Sequence, residues 1–497
     1  MRRVQTMRAF AALAGLALAA WLVPASSAAA QSRGDAAVPR TTRHALVIGI
    51  GDYGQPAIPR LPGVGHDVES ARRIARAMAI PDAQVTVLRD AEATAPRIRE
   101  ALHALTQRVA SGDRVFVYYS GHGTRSFDPG TRRDGCTEGL LAADAQTITN
   151  VELAGLMKPL ADKVDKLFVF YDACFSGGVA GAAVRTRRTA EPAETLTPKF
   201  TLAPSPEACA VPSNFRARGL ALVLQQGGGA MENVVHVAAS RPDELSFDSA
   251  SRGGLATVAW RDCLLGEARD LDGSGAITVE EVTQCAQARL SAALVQHPGI
   301  TGQHLTVAGN PAFVPAWEQL PPTGAGLATA TPADVLAEVY RQRHGGRFVD
   351  LALAQPSLRI EHDALDLRVT SLHAGHVYVA LAGSDGKSLY LLFPNALDGD
   401  NRIRAGQTLR LPRPRWQIVA GGPPGRNTLL VMVTDSPRDL SGLAAEPSGP
   451  FLKTLLDERG RARLQAVLVD GTPGACAGGS ACSDAYGAAL ASVDEVR

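Results

Sequence analysis

The chain has almost no net charge: 50 Lys and Arg stand against 49 Asp and Glu in 497 residues. Without a basic excess it carries no electrostatic footprint for nucleic acid or for an anionic membrane surface. Long hydrophobic runs are also scarce. Beyond the first 23 residues no segment approaches the roughly 20 apolar residues that a membrane-spanning helix needs. No internal repeat stands out, so the chain reads as a series of distinct domains. Cysteine is sparse as well, at seven residues. What is present is ample apolar content, 45% of the chain, enough for sizeable cores in two to three domains.

The one apolar run lies at the start. A basic opening, Met1-Arg2-Arg3 to Arg8, precedes an Ala/Leu-rich stretch ending at Val23, and then small residues up to Ala30 and Gln31. Basic start, short apolar centre and small-residue exit read as a Sec-type signal peptide over residues 1–30, cleaved after Ala30. The run is short for an uncleaved anchor. The chain is therefore expected to be exported, to a bacterial periplasm or outside the cell, where disulfides form. Cys476 and Cys482 lie close together in a Gly/Ser-rich tail and are expected to pair. Cys263 and Cys285 sit on two expected helices that they would staple, and elimination leaves Cys136 with Cys209. The seventh, Cys174, is set apart by its surroundings.

Two segments carry the chemistry. Val115-Phe116-Val117-Tyr118 runs into Tyr119-Ser120-Gly121-His122-Gly123, and Leu167-Phe168-Val169-Phe170-Tyr171 runs into Asp172-Ala173-Cys174-Phe175-Ser176-Gly177. Each places one reactive side chain just past a short apolar, β-prone run. In an open parallel sheet the carboxyl ends of the strands are where chemistry is done. His122 precedes Cys174 by about 50 residues, a caspase-type order and separation. A thiol needs a base to take its proton, and the same imidazole can later protonate a leaving amine. Glycines beside both residues allow backbone N–H groups near Gly123 and Cys174 to approach a developing oxyanion. A lone His or Cys is ordinarily a packing residue; the pair, both flanked by glycines, points to a Cys–His nucleophilic site.

At these residues the chain resembles the caspase/metacaspase superfamily, and its bacterial metacaspase-like branch in particular. The resemblance runs from about Arg43 to Val314. It includes the strand His44-Ala-Leu-Val-Ile-Gly-Ile50 with Gly51-Asp52-Tyr53 after it, the segment Leu61-Pro-Gly63 to His66-Asp67-Val68, and Val237-Ala-Ala-Ser240-Arg241. It implies a mostly parallel sheet flanked by helices and a cysteine-type endopeptidase acting on protein or peptide substrates. It also implies an acidic pocket from Asp67, Ser120 and Asp172, with Ser240 on a substrate-lining strand. Two carboxylates under one pocket favour Arg or Lys before the scissile bond and repel acidic side chains. Asp67 also sits where a helix N-cap belongs. The acids of the family's calcium site are thin here: around Asp134 and Glu138 few carboxylates appear, and Gly181 falls near a position where the family carries another acid.

Residues 179–232 lack steady periodicity and contain Arg185, Arg187 and Arg188. By the resemblance this region carries self-cleavage sites, and the basic cluster suits an acidic pocket; it equally suits an exposed basic loop. Asp270-Leu-Asp272-Gly-Ser274-Gly-Ala276-Ile-Thr278-Val-Glu280-Glu281 fits the twelve-residue EF-hand template. Its ligands would come from Asp270, Asp272, Ser274, the Ala276 carbonyl, Thr278 and Glu281. The same residues also suit a Gly/Asp-rich turn closed by Asx hydrogen bonds. The chemistry itself needs no cofactor; Ca²⁺ is the candidate ligand of this loop.

Strands alternate with amphipathic helices (residues 67–78, 95–109 and 151–160) across a first domain, residues 41–318, which makes it an α/β fold with helices on both faces of the sheet. Residues 319–345 read as a Pro/Gly-rich linker and a helix. Residues 346–449 break into short strands between turn signals and read as a smaller all-β, sandwich-like domain. They are similar to an uncharacterised module appended to secreted bacterial caspase-like proteins and show no catalytic constellation. Residues 450–497 are expected to form a helix and a Cys-containing tail. The reading as a whole is an exported endopeptidase; the rival is a caspase-fold protein that binds or scaffolds without catalysis.

Overall fold

The computed structural model describes the chain from Thr42 to its end except for residues 128–135, 175–195, 203, 205–232, 242–243, 275, 298–299, 301, 317–330, 444, 456–463, 465 and 471–482. The segment expected to be a signal peptide (residues 1–30), Arg185, Arg187, Arg188, Asp134, Gly181, Cys209, Cys476 and Cys482 lie outside the described residues.

Five parallel strands and one antiparallel edge strand form the central sheet. They are β1 (Arg43–Gly49), β2 (Val85–Arg89), β3 (Arg114–Ser120), β7 (Lys166–Asp172), β9 (Val234–Ala238) and β12 (Thr306–Gly309). Their order is β12-β9-β7-β3-β1-β2. Because β1, β3 and β7 are buried on both faces, they read in sequence as continuous apolar runs. Alternate side chains still divide between two cores. Val47, Phe116, Tyr118, Phe168 and Phe170 face one layer with α1 (Val64–Ala77), α4 (Leu255–Asp262) and α5 (Val279–Leu294). Ile48, Val117, Tyr119, Val169 and Tyr171 face the other, with α2 (Ala95–Arg108) and α3 (Asn150–Ala161). Thr94 and Thr149 cap α2 and α3 through their hydroxyls, closing one open backbone donor at each helix start.

Past β3 the chain turns into a small antiparallel sheet, β4 (Gly123–Phe127), β5 (Cys136–Leu141) and β6 (Thr147–Thr149). A second one forms from β8 (Leu196–Pro198), β10 (Phe247–Ser249) and β11 (Gly253–Gly254). Cys263 and Cys285 are joined by a disulfide that ties the end of α4 to α5.

The C-terminal region is all-β, in several sheets rather than one simple sandwich. A helix, α6 (Pro332–Arg341), packs beneath an eight-stranded sheet. A three-stranded sheet (Val349–Leu353, Leu367–Ser371, Thr408–Leu411) stands beside it. Of the expected C-terminal helix, the described residues of 450–497 show a short π-helical turn, Ala466–Asp470. Phe451–Leu455 is a strand, and Tyr486–Val496 is a long strand inserted in the eight-stranded sheet, paired with Gly425–Thr434. Along it Tyr486, Ala488 and Leu490 pack into one core and Ala489 and Val493 into the other, the alternation of a strand covered on both faces.

The two regions dock at the amino ends of the central strands. Arg43, Arg114 and Lys166, the first residues of β1, β3 and β7, are all buried. Arg43 pairs with Asp484 at 3.2 Å, Arg114 donates to the Val469 carbonyl at 3.2 Å, and Lys166 donates to the Gln342 carbonyl at 2.8 Å. The β-module thus holds the end of the sheet opposite to His122 and Cys174. Among the described residues no helix is long and apolar enough to cross a membrane.

Candidate active site

Strand register brings the two chemical segments together. In the β3–β7 pair Ser120 lies opposite Asp172, so His122 and Cys174 each follow two residues past matched positions on adjacent strands. The Gly121 N–H donates to the Asp172 carbonyl across the gap at 3.3 Å. His122 is clamped from several sides. Its N–H donates to the Tyr53 hydroxyl at 2.8 Å, its carbonyl accepts from the Tyr119 hydroxyl at 2.9 Å, and the Tyr53 ring lies 5.3 Å from the imidazole.

The tautomer follows from one contact. Nε2 of His122 lies 2.7 Å from the Pro59 carbonyl, which only accepts, so Nε2 carries the proton. In the neutral ring Nδ1 is then the base. It is buried and has no hydrogen-bond partner. Burial, opposed by the Pro59 contact, pushes His122 down to about 4. Burial likewise pushes the Cys174 thiol up to about 11, against hydrogen bonds from Ser246 that favour the thiolate. The Ser246 N–H reaches the sulfur at 2.6 Å. The pair is therefore un-ionised as it stands, a dry thiol and a neutral imidazole.

A stretch of the chain itself lies across this site. Leu196-Thr197-Pro198, as β8, pairs antiparallel with β10, and the Lys199 N–H continues the ladder to the Ser246 carbonyl at 2.9 Å. The Lys199 carbonyl then accepts from two N–H groups at once, Gly123 at 2.9 Å and Cys174 at 3.1 Å. These are the two donors expected for an oxyanion. Beyond it, Thr201 N–H donates to the Gly123 carbonyl at 3.2 Å. Position 123 has to be glycine: a Cβ there would fall 1.7 Å from the Cys174 carbonyl oxygen.

The Lys199 side chain drops into the acidic pocket and is wholly buried. Its ammonium lies 2.8 Å from Asp67, 2.9 Å from Asp172 and 2.8 Å from the Ser120 hydroxyl. Burial alone would depress the lysine, but Asp172, Asp67 and Asp248 outweigh it and hold its pKa above the ordinary value. Asp67 is raised to about 6 by burial, with the Asp172 charge adding to it and Lys199 opposing it. Asp67 is not a helix cap: α1 begins three residues earlier, and the carboxylate instead accepts from the Gly254 N–H at 2.6 Å and the Ser120 hydroxyl at 2.7 Å. Asp172 accepts from the Thr257 hydroxyl at 2.6 Å, while its other oxygen is buried without a partner. Beside Thr197 a cleft of about 660 Å³ opens, lined in part by Asp52, Arg60, Arg89 and Asp90.

Some expected residues sit elsewhere. Ser240 is buried past the end of β9 with its hydroxyl unpartnered. The strand that pairs with the 196–198 segment is β10, and the ladder continues from Lys199 N–H to the Ser246 carbonyl. Lys199, Ser246, Asp248 and Pro59 were not singled out in the sequence. Nothing local marks them: a backbone carbonyl, a backbone ladder and a lysine distant in sequence acquire their roles through long-range contacts. Tyr53 stood in a quoted motif without a role, and the structure supplies one.

In the Asp270–Glu281 loop the carboxylate oxygens of Asp270, Asp272 and Glu281 come within 4.8 Å of one another. Three converging carboxylates suit a hard, oxygen-seeking cation such as Ca²⁺. The same groups also close the loop by themselves. Ser274 N–H donates to Asp270 at 3.0 Å and to Asp272 at 2.9 Å, and Glu281 accepts from Leu271 and Thr278. Thr278 and Glu281 form a capping box at the start of α5, and the Ser274 hydroxyl turns to the Ala276 carbonyl at 3.4 Å.

A parallel sheet carrying a base and a thiol at the carboxyl ends of neighbouring strands, with two N–H donors on a carbonyl beside them, is the arrangement that Cys–His acyl transfer requires. The comparisons narrow the class. The family profile of the caspase domain matches residues 42–308, more than half of the chain. The chain belongs to the caspase/metacaspase superfamily of cysteine peptidases. A domain of unknown function (DUF4384) matches residues 358–437. Metacaspase-1 of Mycosarcoma maydis is 32% identical over 146 residues, 27% of this chain and 36% of that protein. Metacaspase-6 of Arabidopsis thaliana is 32% identical over 155 residues, 28% of this chain and 40% of that protein. The chain thus spans well under half the length of these curated relatives. The crystal structure of caspase-1 from Spodoptera frugiperda aligns over 59% of this chain and 94% of its own at 11% identity, with a TM-score of 0.34, too low for anything to be read from it.

Proposed function

We propose that the protein is an exported cysteine endopeptidase that hydrolyses peptide bonds after Lys or Arg. His122 Nδ1 takes the thiol proton and Cys174 attacks the carbonyl. The N–H groups of Gly123 and Cys174 hold the oxyanion, and Asp67, Ser120 and Asp172 bind the basic side chain. The observation that carries this reading is Lys199, whose ammonium is held by the two acids while its carbonyl is held by the two N–H donors. A buried ammonium costs several kcal/mol unless paired, so a pocket with two buried acids selects a cation and rejects neutral or acidic side chains. Export is supported by the basic start, the apolar run and the small-residue exit at residues 1–30, together with the Cys263–Cys285 disulfide, a bond of oxidising compartments. Ca²⁺ is proposed as a structural ligand of the 270–281 loop, apart from the chemistry.

The test compares wild type with Cys174→Ala on fluorogenic peptides ending in Lys, Arg or Asp under mild reductant. Cleavage after Lys and Arg, none after Asp, and none by the variant is the expected outcome. Folded, reduced protein that cleaves no peptide would move the assignment to a caspase-fold binding or scaffold protein.

A further inference from the structure

We infer that the C-terminal all-β region has the peptidase region of the same chain as its binding partner, and that the two form one cooperative unit. The β-region closes the amino end of the central sheet, and weakening that contact from either side destabilises both.

A domain carried on a linker moves by default as a separate body, unless its interface is large and apolar. Here the residues from Ala37 to Arg497 form one compact unit. The apolar core runs across the junction. Ala276 and Val314 of the peptidase region are buried in one cluster with Val335, Leu336 and Val339 of α6 and with Tyr378, Met432 and Tyr486 of the β-region. Parting the two would return that apolar surface to water on both sides.

The polar contacts are buried as well, and each of three neighbouring strands has its own. Arg43 of β1 meets Asp484, Arg114 of β3 meets the Val469 carbonyl, and Lys166 of β7 meets the Gln342 carbonyl. These partners come from three separate segments of the C-terminal region. Asp484 does the most. Its Oδ2 accepts from Nε and Nη2 of Arg43, each at 3.2 Å, and lies 4.0 Å from Nε of Arg114, while its carbonyl accepts from Arg438 at 2.8 Å. A buried carboxylate removed from such a group leaves cations of the other region under-compensated, so the loss falls on both.

Shape fixes the contact too. Gly112, just before β3, has a φ of +90°, and a Cβ there would lie 1.9 Å from Ser483 Oγ. Ser483 donates through its N–H to Ser436 at 2.9 Å and through its hydroxyl to the Gly112 carbonyl at 3.4 Å. A turn that has room for one side chain of the other region suits a permanent contact. The strands held in this way are the ones that carry the site. Arg114 lies opposite Lys166 in the same β3–β7 register that sets Ser120 opposite Asp172, so the β-region braces from the amino end the register that brings His122 beside Cys174.

The experiment follows urea unfolding of the full-length chain by hydrogen exchange and mass spectrometry, in a Cys174→Ala background so that no proteolysis intervenes. Peptides from β3 and β7 report on one region, and peptides from Gly375–Ala382 and Gly425–Thr434 on the other. All four should lose protection at one urea concentration. Asp484→Asn removes a charge on the β-region side, and Lys166→Met removes the donor to Gln342 on the peptidase side. Each should lower the midpoint of all four peptides together, by on the order of 0.5 M urea. Should Asp484→Asn yield no folded protein, Lys166→Met makes the same comparison. Strands 375–382 and 425–434 opening at lower urea than β3 and β7 in the unsubstituted interface would overturn the inference. So would a variant that shifts only the region it lies in, or one that shifts neither.

Discussion

Asp172→Asn preserves the shape of the side chain and removes one of the two negative charges beside the Lys199 ammonium. Asp172 lies 2.9 Å from Nζ and Asp67 lies 2.8 Å from it on another element. Removing one partner of a buried ion pair costs about 3–5 kcal/mol, because the remaining charge is left under-compensated. Here the second acid remains, so the low end applies, about 3 kcal/mol or roughly a 100-fold loss at 1.4 kcal/mol per decade. The assay is kcat/KM for a Leu-Thr-Pro-Lys peptide against its norleucine counterpart, which has the same length and no charge. Taking the ratio of the two peptides on each protein cancels competition from the chain's own segment, which affects both alike. The preference for Lys should fall by about two decades, through loss on the Lys peptide, with the norleucine peptide unchanged or improved. The Asn can still accept from the Thr257 hydroxyl, so the pocket should keep its shape. A Lys preference unchanged within about threefold (~0.7 kcal/mol) in folded protein would refute the claim that charge pairing defines the pocket.

Four further outcomes follow from the structure. Gly123→Ala puts a Cβ 1.7 Å from the Cys174 carbonyl oxygen, displacing an oxyanion donor; kcat should drop by about 10²–10³, and the melting temperature should fall with it because backbone must move to relieve the clash. Asp67 titrates near 6 with the lysine seated, so kcat/KM for Lys peptides should decline as pH falls through about 6, where the carboxyl takes a proton and loses its hold on the cation, while the norleucine peptide shows no such limb. His122 and His236, both buried, titrate near 4 rather than near the free value of about 6.5. The unfolded chain then binds more protons between those limits, so stability is full above pH 6.5 and lost as pH falls toward 4, by about 3 kcal/mol for each histidine. Denaturant midpoints across that range check it, and a midpoint flat from pH 7 to 4 would count against it. Millimolar Ca²⁺ should raise the melting temperature, and Asp270→Asn with Glu281→Gln should remove that rise; no shift in wild type would dismiss the cation.

Part of this was visible in the residues. Val115–Tyr118 and Leu167–Tyr171 are apolar without interruption because β3 and β7 are buried on both faces, and that double burial marks a parallel sheet. The helices α2 and α3 could be placed to within a residue or two, since their amphipathic spacing and Thr caps are local signals. The C-terminal strand Tyr486–Val496 could not, because its conformation is imposed by Gly425–Thr434, far away in the chain. Ser240 was assigned to the substrate edge by motif alone, and the fold gives that edge to Ser246–Ser249 instead.

The chain's sequence determined which residue types could do chemistry and where local structure would present them. His122 and Cys174 past their strands, the glycines beside them, and the acids Asp67 and Asp172 are all readable in order. The tertiary structure decided what those residues face. Only packing sets Pro59 against Nε2 and so makes Nδ1 the base. Only the β8–β10 register brings Lys199, 25 residues after the thiol in a stretch without periodicity, into the pocket that the two acids form. The physical reason is range: helix caps and strand patterns are written within a few neighbouring residues, whereas a charge's partner and a carbonyl's donor are chosen by contacts that no local spacing encodes.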